Sequence, residues 1–116
     1  MNVKQLSEAT GLSPHTLRYY EKAGLIPDVK RGANGFRQYS KADAEWVETL
    51  KALKAMGMSL EDIKRSVLLR KQGDSTIDER IKLFEQHYNK LQSEMSKLQA
   101  VITKTKYRID WCKKSL

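Results

Sequence analysis

Arg18, Lys22, Lys30, Arg31, Arg37 and Lys41 stand between Pro14 and Lys41, opposed there by only Glu21 and Asp28. Tyr19, Tyr20 and Tyr39 are interleaved with them. Guanidinium and ammonium groups neutralise phosphates, and tyrosine hydroxyls fix register on a sugar-phosphate backbone without reading bases, so this pattern points to nucleic-acid binding. Catalysis is disfavoured, because no carboxylate, His and Cys group falls at the spacing of a catalytic constellation. The single Cys112 and the distant His15 and His87 give no metal-ligand spacing within one chain, so neither metal nor cofactor is expected. Cys112 itself has two readings: a small buried hydrophobe, or a sensor thiol whose thiolate Lys113 and Lys114 would favour.

The composition agrees with a binding role. The chain has 116 residues, 40% apolar and 31% charged, with 2 Pro and 6 Gly. This is a globular composition with a modest core that a partner subunit would enlarge, and it leaves no room for a separate catalytic domain. A formal charge of +8 calls for an anionic partner, nucleic acid first. The apolar runs are short and Met1-Asn2-Val3-Lys4-Gln5 lacks a signal-peptide hydrophobic region, so the expectation is a cytoplasmic protein with no membrane segment.

The elements that position the basic residues follow from caps and periodicity. Asn2 caps a first helix carrying Val3 and Leu6, and Gly11 stops it. Ser13 caps a second helix with Pro14 at its first position, running to about Ala23 before Gly24. Leu17 faces inward, while His15, Thr16, Arg18, Tyr19 and Lys22 cover much of the rest, and Tyr20 lies either in the core or beside the contacts. Asn34-Gly35 between Val29-Lys30-Arg31 and Phe36-Arg37-Gln38-Tyr39 signals a hairpin, of the type I′ kind or with a longer loop. Ser40 caps a third helix to about Met56 with Trp46, Val47, Leu50 and Leu53 inward. Ser59 caps a fourth with Leu60, Ile63, Val67 and Leu68 inward. Two helices followed by a hairpin form a winged helix-turn-helix plan, whose second helix enters the major groove.

From Ile77 the apolar spacing alternates four and three. Ile77, Ile81, Phe84, Tyr88, Leu91, Met95, Leu98, Ile102, Thr105, Ile109, Cys112 and Leu116 keep it to the last residue. A helix of about 40 residues is roughly 60 Å long, too long to be covered by the N-terminal part, so it needs a partner helix. With Ile81 at an a position, the e positions run from acidic Asp78 and Glu85 through Gln92 and Gln99 to basic Lys106 and Lys113. An antiparallel pair matches Asp78 with Lys113 of the partner and Glu85 with Lys106, and stacks Met95 on Leu98. A parallel pair instead sets Arg108 beside Lys113. The pattern therefore predicts an antiparallel homodimer, seated on Ile77, Ile81, Phe84, Tyr88, Leu91, Met95, Leu98, Ile102 and Ile109.

These residues also resemble a known family, the MerR bacterial transcription regulators. The resemblance lies in Thr16-Leu17-Arg18-Tyr19-Tyr20-Glu21-Lys22-Ala23-Gly24-Leu25-Ile26-Pro27, then Arg31, then Gly35-Phe36-Arg37-Gln38-Tyr39, and in Lys54 to Ile63 at the junction of the third and fourth helices. It extends over the whole chain, since the family ends in a long antiparallel dimerisation helix. It implies that Arg18 and Tyr19 contact DNA with Tyr20 beside them, and that Arg37, Tyr39 and Lys54 meet phosphates. His15 and Thr16 sit where base-edge contacts occur. Phe36 is expected to pack the wing, Glu21 to orient Arg18 or Arg37, and His87 to lie on the surface. Met58-Ser59-Leu60 and Gly73 to Arg80 look most like the aldehyde- and electrophile-responsive subgroup, a stress-response branch. That subgroup's third-helix cysteine is replaced here by Ala52.

The resulting expectation is a mainly α protein: a winged helix-turn-helix DNA-binding domain with following helices over residues 1–72, then a linker and antiparallel coiled-coil dimerisation helix over 73–116. Its partners would be double-stranded promoter DNA on a pseudo-palindromic operator, a second copy, and RNA polymerase. The resemblance implies that it acts by distorting promoter DNA. The alternative is an architectural DNA-bending protein without an inducer, which rests on the missing third-helix cysteine and on no ligand domain following Leu116.

Overall fold

The computed structural model describes residues 1–27 and 29–116; Asp28, one of the two carboxylates weighed against the basic cluster, lies outside the described residues. Five helices and one hairpin make up the fold: α1 (Val3–Thr10), α2 (Pro14–Lys22), β1 (Lys30–Arg31), β2 (Arg37–Gln38), α3 (Lys41–Ala55), α4 (Leu60–Gln72) and α5 (Ile77–Lys114), with a 3₁₀ turn over Asp74–Thr76. The caps set these boundaries. Asn2 and Gln5 form a reciprocal capping box at α1, as Ser40 and Asp43 do at α3. Ser13 accepts from the Thr16 N–H with Pro14 at the first turn of α2, and Ser59 accepts from Asp62 at α4. Gly11 closes α1 at φ 78°, a left-handed conformation costly to a residue with a Cβ.

Leu6, Leu17, Leu25, Ile26, Tyr39, Val47, Leu50, Leu53, Met58, Ile63, Val67 and Leu83 form a single core in which every helix takes part. The packing runs in order: α2 on α1, α1 on α3, α3 on α4, and α4 with the 3₁₀ turn on α5. Two polar contacts reinforce it. Lys51 Nζ donates to the Thr10 carbonyl at 2.6 Å, placing a cation on the C-terminal end of α1, and Trp46 Nε1 donates to the Leu25 carbonyl at 2.6 Å. Arg70 covers the Trp46 ring, 4.5 Å from its centroid, so this indole borders the core and is not enclosed by it.

Two local expectations are corrected, for Leu68 and His87, and the open choice of hairpin loop is resolved. Leu69, not Leu68, faces inward on α4; Leu68 is 54% exposed and Leu69 4%. Ile63, Ser66 and Val67 are buried with it, and at 100° per residue Leu68 falls on the opposite side of that arc. The hairpin loop is longer than the two-residue form: Arg31 pairs with Arg37 across residues 32–36, the Gly35 N–H closes on the Gly32 carbonyl, and Gly35 takes φ 79°. His87 is not a simple surface residue, because its Nε2 lies 2.7 Å from the Met56 carbonyl at the end of α3.

α5 has 38 residues, about 57 Å at 1.5 Å per residue, and makes up most of the chain's 75 Å length. Leu83 is its one buried residue among those described. The heptad seam faces solvent within the single chain, from Phe84 at 38% exposed to Tyr88 at 61%, and Ile77, Ile81, Leu91, Met95, Leu98, Ile102 and Ile109 lie between those values. Leu69→Ala is expected to cost about 2–5 kcal/mol as a core truncation, and Leu68→Ala about 0.5 kcal/mol or less as a surface change. Urea denaturation at one fixed protein concentration checks the pair, and equal losses would contradict the assigned orientation of α4.

Candidate nucleic-acid interface

The wing is fastened to the recognition helix α2 by one carboxylate. Glu21, at the end of α2, forms an ion pair with Arg37 Nε on β2, and the Tyr39 hydroxyl donates to Glu21 Oε2 at 3.4 Å. The Glu21 side chain is 15% exposed and that of Arg37 45%, so the carboxylate is sheltered while the guanidinium reaches solvent. Because Glu21 occupies Nε, the terminal nitrogens of Arg37 remain as an outward fork of the kind that suits a phosphate. Of the two arginines that Glu21 was expected to orient, the ion pair is with Arg37.

Tyr39, expected among the phosphate contacts, is 2% exposed: its ring packs in the core, its hydroxyl is directed at Glu21, and it forms part of the wall of the cleft described below. Its backbone pairs with the start of the chain, the N–H donating to the Met1 carbonyl at 2.7 Å and the carbonyl accepting from the Met1 amino group at 2.6 Å. The base of the wing is thereby tied to the residue just ahead of the α1 cap. Phe36, expected to pack the wing, instead projects from its tip at 72% exposure.

Arg18 from α2, Arg31 and Arg37 from the two strands, and Asn2 and Lys4 from the start of α1 line a common cleft of about 450 Å³. Arg31 is braced by donating from Nη1 to the Gly35 carbonyl at 2.8 Å. Four cations from four elements meet here, and the Glu21 carboxylate beside them is already paired with Arg37, an arrangement suited to a polyanion. Lys4 was not singled out from the sequence. Its signal was only a cation in the first turn of a helix, and it becomes informative once the Met1–Tyr39 pairing brings that turn beside the wing.

The remaining expected contacts are distributed around this cleft. Tyr19 is 50% exposed on the outer face of α2, while Tyr20 is half-buried against the core, the rings 6.1 Å apart at 52°. His15 is exposed on the first turn of α2, and Thr16 beside it accepts from the Ser13 hydroxyl at 3.0 Å. Lys54 is exposed in the last turn of α3, away from the cleft residues. Ala52 and Cys112 are both exposed, so the thiol is not buried within the single chain. Among the described residues no group of three or more His, Cys, Asp or Glu side chains is placed to hold a metal ion, and no helix is long and apolar enough to cross a membrane.

A recognition helix and a wing converging on a basic cleft define a winged helix-turn-helix DNA-binding protein. Residues 1–68 match the MerR HTH family of regulatory proteins, and residues 45–104 match the MerR DNA-binding family. The chain belongs to the MerR family and is a transcription regulator of that type, not an enzyme. It is 37% identical over 109 residues to an HTH-type transcriptional regulator of Haemophilus influenzae, covering 94% of this chain and 81% of the relative. Among solved structures it is similar to HiNmlR, a MerR family regulator lacking the sensor domain, bound to promoter DNA. That likeness has a TM-score of 0.72 and 35% identity, and covers 97% of this chain and 90% of the other. It is also similar to a MerR family regulator from Listeria monocytogenes, with a TM-score of 0.78 and 29% identity, covering 95% of this chain and 83% of that one.

Burial pushes the Tyr39 hydroxyl above its ordinary value of 10.0, and the Glu21 carboxylate adds to the rise while Arg37 and Arg18 oppose it. A folded value above the unfolded one means a stabilising contribution that is fully present below the unfolded value and lost as pH rises through the folded value. Tyr39→Phe should therefore make stability less sensitive to pH above about 10 than in the wild type. Urea midpoints of both proteins across that alkaline window check this, and parallel curves would refute it.

Proposed function

We propose that two copies of the chain bind a pseudo-palindromic promoter operator, residues 1–72 of each holding one half-site and residues 73–116 joining the copies in an antiparallel coiled coil. The convergence of Arg18, Arg31, Arg37 and Lys4 on one cleft carries this reading, because it pairs the recognition helix and the wing on one stretch of DNA backbone. Tyr19 adds a contact from the exposed face of α2, Lys54 one from the end of α3, and His15 and Thr16 approach base edges. Tyr20, Tyr39 and Glu21 hold these groups in place. The bound promoter in the HiNmlR structure supports the choice of DNA.

In this reading the dimer sets the separation of its two recognition helices, and a promoter whose half-sites do not fit that separation is distorted on binding. The distortion would present promoter elements to RNA polymerase in the cytoplasm. The family favours this regulator over the architectural protein without an inducer. Footprinting on the promoter beside its own gene tests it. A two-fold symmetric footprint is expected, with Arg18→Ala and Arg37→Ala each weakening binding about tenfold or more through lost charge-assisted hydrogen bonds. A footprint indifferent to both substitutions would overturn the assigned site.

The antiparallel pairing has its own test. Glu85→Lys places like charges at two symmetric positions of the dimer, and adding Lys106→Glu restores both pairs, each worth about 0.2–1 kcal/mol. Sedimentation equilibrium at low salt should show the single change weakening self-association and the double change recovering it. Absence of recovery would argue against this register.

A further inference from the structure

α4 turns its second face away from the core. At 100° per residue its buried Ile63, Ser66, Val67 and Leu69 take one side, and Lys64, Arg65, Leu68 and Lys71 share the other. Leu68, 54% exposed, stands at the middle of that side, one turn from Lys64 and one from Lys71. Glu61 is the one carboxylate of this face among the described residues of α4, and Arg65 is paired with Glu79 on α5 at 3.7 Å. Past Lys71, between α4 and α3, lies a groove of about 240 Å³ lined by Pro27, Trp46, Val67, Arg70 and Lys71. Arg70 sits over the indole, 4.5 Å from its centroid. Lys64 and Arg70 make no ion pair among the described residues.

The groove shares no residue with the basic cleft. It lies at the base of the wing, where the chain leaves α2 and Trp46 Nε1 donates to the Leu25 carbonyl. DNA held by the cleft residues therefore leaves this face open. The chemistry of the face selects its occupant. An indole, a proline ring and a valine gain by excluding water behind a large apolar side chain. The guanidinium stacked on the indole keeps its edge for a carboxylate. Leu68 beside Lys64 repeats the combination of apolar anchor and cation. A nucleic-acid backbone would satisfy the cations and leave the groove and Leu68 wet, and a bilayer surface calls for a broader apolar face than this one. An acidic polypeptide with large apolar side chains satisfies both halves, and Trp and Arg are residue types on which protein interfaces concentrate their binding energy.

We infer that the outer face of α4 and the Trp46 groove dock an acidic protein segment. A large apolar side chain of that segment enters the groove against Trp46, and its carboxylates meet Arg70 and Lys64. The surface does not depend on the dimer-on-operator reading above, and it is open to a partner while the chain is on DNA.

Trp46 reports on its own groove once Trp111, the other tryptophan, is replaced. The test titrates Trp111→Phe protein, carrying a saturating DNA duplex at low salt to occupy the cleft, with a random glutamate–tyrosine copolymer or with polyglutamate of the same length. Emission is excited where tyrosine does not absorb. The copolymer is expected to shift Trp46 emission and to bind about tenfold or more tighter than polyglutamate, with Leu68→Ser and the Lys64→Gln, Arg70→Gln pair each weakening it about tenfold. Leu68→Met should bind as the parent does, and an unchanged urea midpoint checks that each variant is folded. A charge-matched control, Lys90→Gln with Lys97→Gln, should match the parent, and all variants should keep the parent's affinity for the duplex. Polyglutamate binding as tightly as the copolymer overturns the inference, because charge alone would then explain the attraction. Emission unmoved by the copolymer, displacement of the duplex by it, or equal loss in the control overturns it too. Weaker duplex binding by the α4 variants would assign the face to DNA and overturn it as well.

Discussion

A helix of 38 residues with one buried side chain is an unfinished structure in water. The α5 seam presents Ile81, Leu91, Met95, Leu98, Ile102 and Ile109 at 42 to 60% exposure along most of its length, and isolated helices gain little from propensity to offset such exposure. The N-terminal lobe covers only the first turns, through Leu83 and His87. Covering the seam with an identical helix is the solution that the charge gradient from Asp78 to Lys113 supports, and it brings a two-fold axis with it. Every larger feature of the proposed function, from paired recognition helices to their fixed separation, descends from that one uncovered face.

At the other end of the molecule the corresponding constraint is electrostatic. A wing with two paired residues per strand has almost no hydrogen-bonded stability of its own. It holds its position because Tyr39 is buried beneath it, because Met1 pairs with Tyr39 on one side, and because Glu21 binds Arg37 on the other. A carboxylate at a phosphate-binding surface looks unfavourable when only charges are counted. Its placement explains it: Glu21 is sheltered, directed at Arg37 Nε and Tyr39, and leaves the outer guanidinium nitrogens to the ligand.

Most of the fold was legible because it rests on local signals. Asn2, Ser13, Ser40 and Ser59 mark helix starts and Gly11 and Gly57 mark stops, each through a backbone requirement that the neighbouring residues reveal. The basic residues of α2 and the wing were legible as types, and the structure adds their convergence. What the sequence hid was set by packing at long range. Tyr39 reads as a wing tyrosine until Met1, thirty-eight residues away, closes over it. Lys4 joins the cleft for the same reason. Leu68 and Leu69 are indistinguishable by composition, and only the direction from which α5 approaches α4 selects Leu69. Leu83 and His87 lie off the heptad seam, so a pattern search for the seam passes over two of the residues that attach α5 to its own lobe.

That attachment determines what a change of shape in this protein would have to alter. The lobe is continuous from α2 through α1, α3 and α4, with Lys51 joined to Thr10 and Trp46 to Leu25 across it, so the recognition helix and wing move as one body. α5 is a single rod from Ile77 to Lys114. The joint between these two bodies includes the 3₁₀ turn over Asp74–Thr76, the Arg65–Glu79 ion pair between α4 and α5, Leu83 in the lobe's core, and the His87 contact with Met56 at the α3 terminus. In the proposed dimer the coiled coil would fix one end of each lobe, and a small rotation at this joint would be amplified over the thickness of the lobe into a displacement of the recognition helix along DNA. A state that fits an undistorted promoter and a state that strains it can therefore share the same coiled coil and the same lobes, differing chiefly in how Leu83 and His87 sit against α3 and α4.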